Sequence, residues 1–169
     1  MTIKRLFSIV LVLILLLPPY IAVATDANTI WQQLIQREGC LLSATDINYT
    51  ITGSVFELKT WKDFFYSLRL DNDIFNLIVD KFDSHKATNI HICNFRNASE
   101  GEVAVFVTQH IVGKNWYSYD GNNCELKKIA QTNVASKALL LKLVLENKEM
   151  CKELQNYFKK QFILKQKMK

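Results

Sequence analysis

The stretch from Thr88 to Asp120 reads TNIHICNFRNASEGEVAVFVTQHIVGKNWYSYD, and the fold turns on how it is read. Ser99-Glu-Gly-Glu102 has the form of a capping box, in which the Ser99 hydroxyl takes an orphan helix amide and Glu102 reaches back to the Ser99 amide. Val103, Ala104, Phe106, Val107, His110 and Ile111 follow at helical spacing, and Gly113 supplies the stop. A strand is the rival, because Val103, Val105 and Val107 alternate and β-branched residues suit sheets. The cap selects a helix over 103–112.

The flanking segments also read as helices. Thr25 or Asp26 can cap one whose apolar side is Ile30, Trp31, Leu34 and Ile35, with Gly39 as its end. Residues 41–52 stay open between a strand and a helical turn. A second capping box, Ser54-Val-Phe-Glu57, starts a helix whose inward face includes Val55, Phe56, Trp61, Phe64, Phe65 and Leu68. Asp71 or Asn72 caps the next helix, carrying Ile74, Phe75, Leu77, Ile78 and Phe82. Weak alternation predicts one short extended segment through Ile90 and Ile92.

Toward the end of the chain, Asn133 is a cap candidate. Ala135, Ala138, Leu139, Leu141, Leu143, Val144 and Leu145 look apolar all round, which predicts deep burial. Asn147 marks a boundary, and Met150, Cys151, Leu154, Tyr157, Phe158 and Phe162 continue one face beyond it. The expected fold is therefore mainly α: a single-domain bundle of about five to six helices, with one or two short strands allowed.

Lys4-Arg5, the uncharged run Leu6–Leu17, Pro18-Pro19 and then Ala22-Val-Ala24 form the three-part layout of a secretory signal peptide. The expectation is cleavage after Ala24, so that residues 1–24 are the signal and 25–169 the mature domain. The rival is an uncleaved anchor, but the run before the prolines is short for a span. No stable membrane insertion is expected after cleavage, and the location is secreted or periplasmic. The signal holds two of the 21 basic residues and none of the 16 acidic ones, so only a mild positive excess remains. It gathers in Lys159, Lys160, Lys165, Lys167 and Lys169, as suits the negative end of a helix dipole. A nucleic-acid binder would carry basic and aromatic residues interleaved along its body, and that pattern is missing.

All four cysteines, Cys40, Cys93, Cys124 and Cys151, fall after the signal. An even count in an oxidising compartment predicts two disulfides, each stabilising by about 2–4 kcal/mol, with three pairings open. No Cys-x-x-Cys occurs and no histidine stands at ligand spacing from a cysteine pair, so neither a metal nor another cofactor is expected.

For chemistry, Cys93 with His91 or His110 is a conceivable thiol and base, the mark of a small secreted hydrolase. Oxidation of Cys93 opposes that reading. Glu100 and Glu102 as a catalytic carboxylate pair are opposed by their places in the cap. No Gly-x-Ser-x-Gly, His-Glu-x-x-His, phosphate loop or dinucleotide fingerprint occurs. Recognition is favoured instead: Trp116, Tyr117 and Tyr119 beside Asp120 put amphipathic rings on a turn, a composition common at binding hot spots. The opposing structural reading folds Trp116 back over the central helix as core. His110 is expected in the core and His85 on an exposed loop. The sequence thus reads as a non-enzymatic exported module that holds another protein, in the manner of a periplasmic inhibitor or immunity protein.

Overall fold

The computed structural model describes residues 20–36, 39–40, 59–92, 96–119 and 134–168. Six α-helices and three short strands lie among them: α1 (Tyr20–Ile35), β1 (Gly39–Cys40), α2 (Lys59–Leu70), α3 (Asn72–Val79), β2 (Ala87–Ile92), β3 (Arg96–Ser99), α4 (Glu100–Val112), α5 (Val134–Glu146) and α6 (Lys148–Lys167). The mainly helical expectation holds. The strands form one small sheet of order β1-β2-β3, with β1 parallel and β2 antiparallel to its neighbour. Gly39, read as a helix stop, pairs with Ile90 as part of β1. The expected cap at Ser54 and the open segment 41–52 lie outside the described residues.

The centre of the molecule is α4, which packs against α2, α3, α5, α6, β2 and β3. Its residues are buried apart from His110. Burying a helix end strands amide groups unless each finds an acceptor. Here the Glu100 amide donates to the Lys86 carbonyl at 2.8 Å and the Gly101 amide to the Ser84 carbonyl at 3.0 Å. The Glu102 amide donates to Ser99 Oγ at 3.2 Å, and the Glu102 carboxylate accepts from the Ser99 amide at 2.8 Å, closing the expected capping box. At the other end Gly113 takes φ 75°, a left-handed value that favours glycine.

Helix α6 supplies polar groups to the carboxyl ends of three other helices. Gln155 donates to the Val79 carbonyl of α3, and Gln166 donates to the Arg69 carbonyl of α2. Lys165 donates to Ile111 and Val112 of α4, at 2.6 and 3.1 Å. The lysines at the chain end are thus partly engaged: Lys159 also pairs with Asp80 at 2.7 Å. Phe158 and Phe162 fill the interior below, Phe162 stacked on Phe75 at 3.9 Å and Phe158 edge-on to Phe82 at 5.8 Å. Asp71 caps α3, one of the two residues the spacing offers, and Asn147, read as a kink or boundary, separates α5 from α6 and caps α6.

In the sheet, the ladder between β2 and β3 is irregular between Ala87 and His91. The buried Thr88 hydroxyl fills in, donating to the Ala98 carbonyl at 2.8 Å and accepting from the Ile90 amide at 3.2 Å. Such a bulge loses ladder bonds unless a side chain replaces them.

The turn after α3 leans so closely on α4 that a Cβ on Gly101 would stand 2.3 Å from the Phe82 carbonyl oxygen. Gly101→Ala is therefore expected to lower the unfolding free energy by about 1–3 kcal/mol through overpacking against backbone, despite alanine's better helix propensity. Urea denaturation checks it. An unchanged midpoint would show that the turn yields freely.

Candidate functional site

The aromatic turn does not present its largest ring to solvent. Trp116 is 2 % exposed, and its amide donates to Gln109 Oε1 at 3.0 Å, tying the 3-10 turn Trp116–Ser118 onto α4. Tyr117 packs edge-on against Trp116, and Tyr119 edge-on against Tyr157 of α6. The Tyr119 hydroxyl donates to Glu153, and burial together with that bond pushes its pKa up to about 12. Tyr117 and Tyr119 are half-buried, and Asp120 lies outside the described residues. Trp116 is core, which is the reading of the sequence that folds it back over the central helix.

Glu100 and Glu102 are buried but are bound differently. Glu100 Oε1 accepts from Trp31 Nε1 at 2.7 Å and from Gln32 Nε2 at 3.1 Å, while Oε2 accepts from Ser84 Oγ at 2.5 Å. Burial alone would raise its pKa. The three hydrogen bonds and the charge of Lys81 outweigh that and hold the carboxyl below its ordinary value. Glu102 instead takes two bonds from the Arg96 guanidinium, besides its bond in the cap. Both carboxylates are thus engaged by structural partners.

His110 is exposed on α4 rather than in the core, with its ring against Phe65 at 6.5 Å. Burial on its inner side, then the charges of Arg69 and Lys165, hold its pKa below the ordinary value. His91 is exposed on β2 and His85 on the turn before it. Cys93 and Cys124 lie outside the described residues, as does the Cys40 side chain. Cys151 is a free thiol buried on α6, and burial, with Asp83 adding, pushes its pKa up to about 11. The expected pair of disulfides using all four cysteines is therefore corrected. Cys151 lines up with Leu154 and Phe158 on the inner face of α6 and serves as core. Among the described residues no group of three or more metal-ligating side chains comes together, and no helix is long and apolar enough to cross a membrane.

What the fold does assemble is a cleft of about 400 Å³ between the β2–β3 hairpin, the amino end of α4 and one edge of α5. Arg96, Asn97 and Glu102 line it from β3 and α4, Lys142 and Glu146 from α5, and His85 from the turn before β2. Arg96 is pinned by Glu102 and by a further bond to the Asn97 carbonyl at 3.1 Å. The Glu102 bond is the strongest influence on Arg96, raising its pKa against burial, with the charges of Glu102 and Glu146 adding. Lys142 and Glu146 face each other across one helical turn at a loose 3.7 Å.

The outer face of α5 adjoins this cleft and departs from the sequence reading. Ala138, Leu141, Val144 and Leu145 are buried as expected, but Leu139 is 60 % and Leu143 54 % exposed. Drawing the helix through Lys142 and Glu146 would have found this face, because positions 139, 142, 143 and 146 fall on one side at 3.6 residues per turn. Compared with family models, curated proteins and solved structures, the chain matches none of them.

Glu100→Ala orphans the Trp31 and Ser84 donors and is expected to cost about 1–3 kcal/mol for each buried donor left without an acceptor. Glu100→Gln keeps an acceptor for Trp31 but abolishes the titration. Because the folded pKa of Glu100 is lowered, its ionisation stabilises the fold above the ordinary carboxylate range, near pH 4.3, and that stability is lost as pH falls through the folded value. Acid unfolding of Glu100→Gln should thus be shallower than that of the wild type. Equal acid profiles would remove Glu100 from this role. Trp116→Ala is expected to destabilise by about 3–5 kcal/mol as a core truncation, readable as a lowered Tm.

Proposed function

We propose that this protein is an exported binding module that holds another protein through the outer face of α5, in the manner of an inhibitor or immunity protein. The observation that carries the reading is the uncovered pair Leu139 and Leu143, one turn apart on an otherwise well-packed helix and flanked by Lys142 and Glu146. Two large apolar side chains more than half exposed on one stripe match the apolar centre and charged rim of a protein contact. Helix-in-groove recognition uses the same i, i+4 anchors. The aromatic turn enters as support for the scaffold, with Tyr117 and Tyr119 half-buried on its surface.

Export is supported by the leading Lys4-Arg5, the apolar run Leu6–Leu17 and Ala22-Val-Ala24. Cleavage after Ala24 would leave Trp31 and Gln32 in place to hold Glu100. The mass of the protein recovered from its native compartment checks this, with a chain beginning at Thr25 as the expected result. Finding residues 1–24 still attached in the folded native protein would overturn the export part.

For the contact face, Leu139→Ser with Leu143→Ser is expected to leave the fold within about 0.5 kcal/mol of wild type, since both side chains are at the surface. The same double variant should lose a protein that wild type retains in affinity capture from the native extract. Identical captured sets, with unchanged circular dichroism, would overturn α5 as the contact.

A further inference from the structure

We infer that the cleft beside α5 receives a carboxylate, presented by an acidic side chain of the protein that covers Leu139 and Leu143. The inference rests on the reading of α5 as a contact face and adds the chemistry of the occupant.

An incoming group reaches only some of the charges that line the cleft. By formal count the walls are balanced, with Arg96 and Lys142 against Glu102 and Glu146. By access they are not. The Glu102 side chain is 2 % exposed, and its oxygens are spent on Arg96 and on the Ser99 amide. Arg96 keeps 36 % of its side chain exposed, and a guanidinium carries five donors, more than the bonds it makes here. Lys142 is half exposed, held by Glu146 at 3.7 Å, longer than a good charged hydrogen bond. Asn97 and His85 add exposed polar groups to the lining. The open side of the cleft therefore offers several donors and one reachable carboxylate, Glu146.

Pinning matters as much as sign. Arg96 is fixed before anything binds, so little side-chain entropy is lost when it donates to a ligand. Lys142 needs only to swing from Glu146 toward the newcomer, exchanging one weak surface pair for another partner. A carboxylate suits this geometry, whereas an ammonium would meet the positive edge of Arg96 with Glu146 alone to offset it. Lys142 and Glu146 share the stripe with Leu139 and Leu143, so a segment whose apolar residues lie on the leucines brings its next turn over the cleft.

The test is a nuclear magnetic resonance titration of the full folded protein with N-acetyl-glutamic acid amide, a blocked residue bearing one side-chain carboxylate. The glutamine and lysine counterparts serve as comparisons. The carboxylate probe is expected to give saturable shifts at Arg96, Asn97 and His85 that weaken with added salt. Lys142→Gln should weaken binding about tenfold, as for loss of one charged hydrogen bond, while Glu146→Gln, which removes the opposing charge, should tighten it. Three results would overturn the inference: no saturable shift at the cleft, equal or stronger shifts with the lysine probe, or shifts spread evenly over surface lysines such as Lys152 and Lys160. If the leucine double variant loses its captured protein while the cleft shows no carboxylate preference, this inference falls and the binding reading stands. If the cleft prefers the carboxylate but capture ignores the leucines, the reading of α5 falls instead.

Discussion

A buried helix start is the constraint around which this protein is arranged. The first turn of α4 lies in the interior, where each unpaired amide or carboxylate would carry the full cost of leaving water. The chain answers with acceptors from three places: the Lys86 and Ser84 carbonyls of the turn after α3, and the Ser99 hydroxyl of the cap. Glu100 then carries the solution outward. Its two oxygens gather Trp31 and Gln32 of α1 and Ser84 of the turn, so one carboxylate joins three segments far apart in sequence. Gly101 follows from the same closeness, because the carbonyl of Phe82 occupies the space where a side chain would stand.

The opposite ends of the helices meet a related demand. Carboxyl ends leave carbonyls without partners, and α6 reaches across to supply them with Gln155, Lys165 and Gln166. A long helix with a polar flank thus closes three neighbours while its Leu154, Phe158 and Phe162 fill the core. This sharing of tasks explains why several lysines near the chain end are structural as well as solvating. It also explains why the aromatic turn became part of the frame: Gln109 and Trp116 pin it to α4, and Glu153 and Tyr157 pin Tyr119 to α6.

Against that frame, α5 carries an apolar outer face that the fold leaves uncovered. Its inner face packs with α4 and α6, while its outer face leaves leucines in water next to a cleft of pinned and loosely held charges. The carboxylates of Glu100 and Glu102 are engaged within the fold, whereas the residues proposed to act outward, Lys142, Glu146, Leu139 and Leu143, have capacity left. That contrast separates a contact surface from a structural one more sharply than aromatic content does.

Local chemistry was legible wherever one short segment determined its own conformation. The Ser99 and Asp71 caps, the Asn147 boundary, the Gly113 stop and the core stripe of α6 are all set by residues within one or two turns of each other, and each appears in the structure where the spacing places it. The sequence alone also identified the mainly helical class, and its cap favoured a helix over the rival strand for 103–112. Tertiary structure decided what depended on distant partners. Whether Trp116 faced water or the core, whether Glu100 was a surface carboxylate or a buried staple, and which leucines of α5 stayed uncovered were fixed by the elements packed nearby. The same holds for Cys151, whose place on the inner face of α6 made it core rather than cross-link. Caps and periodicity are short-range physics that a linear pattern encodes; burial is a sum over neighbours brought together by folding.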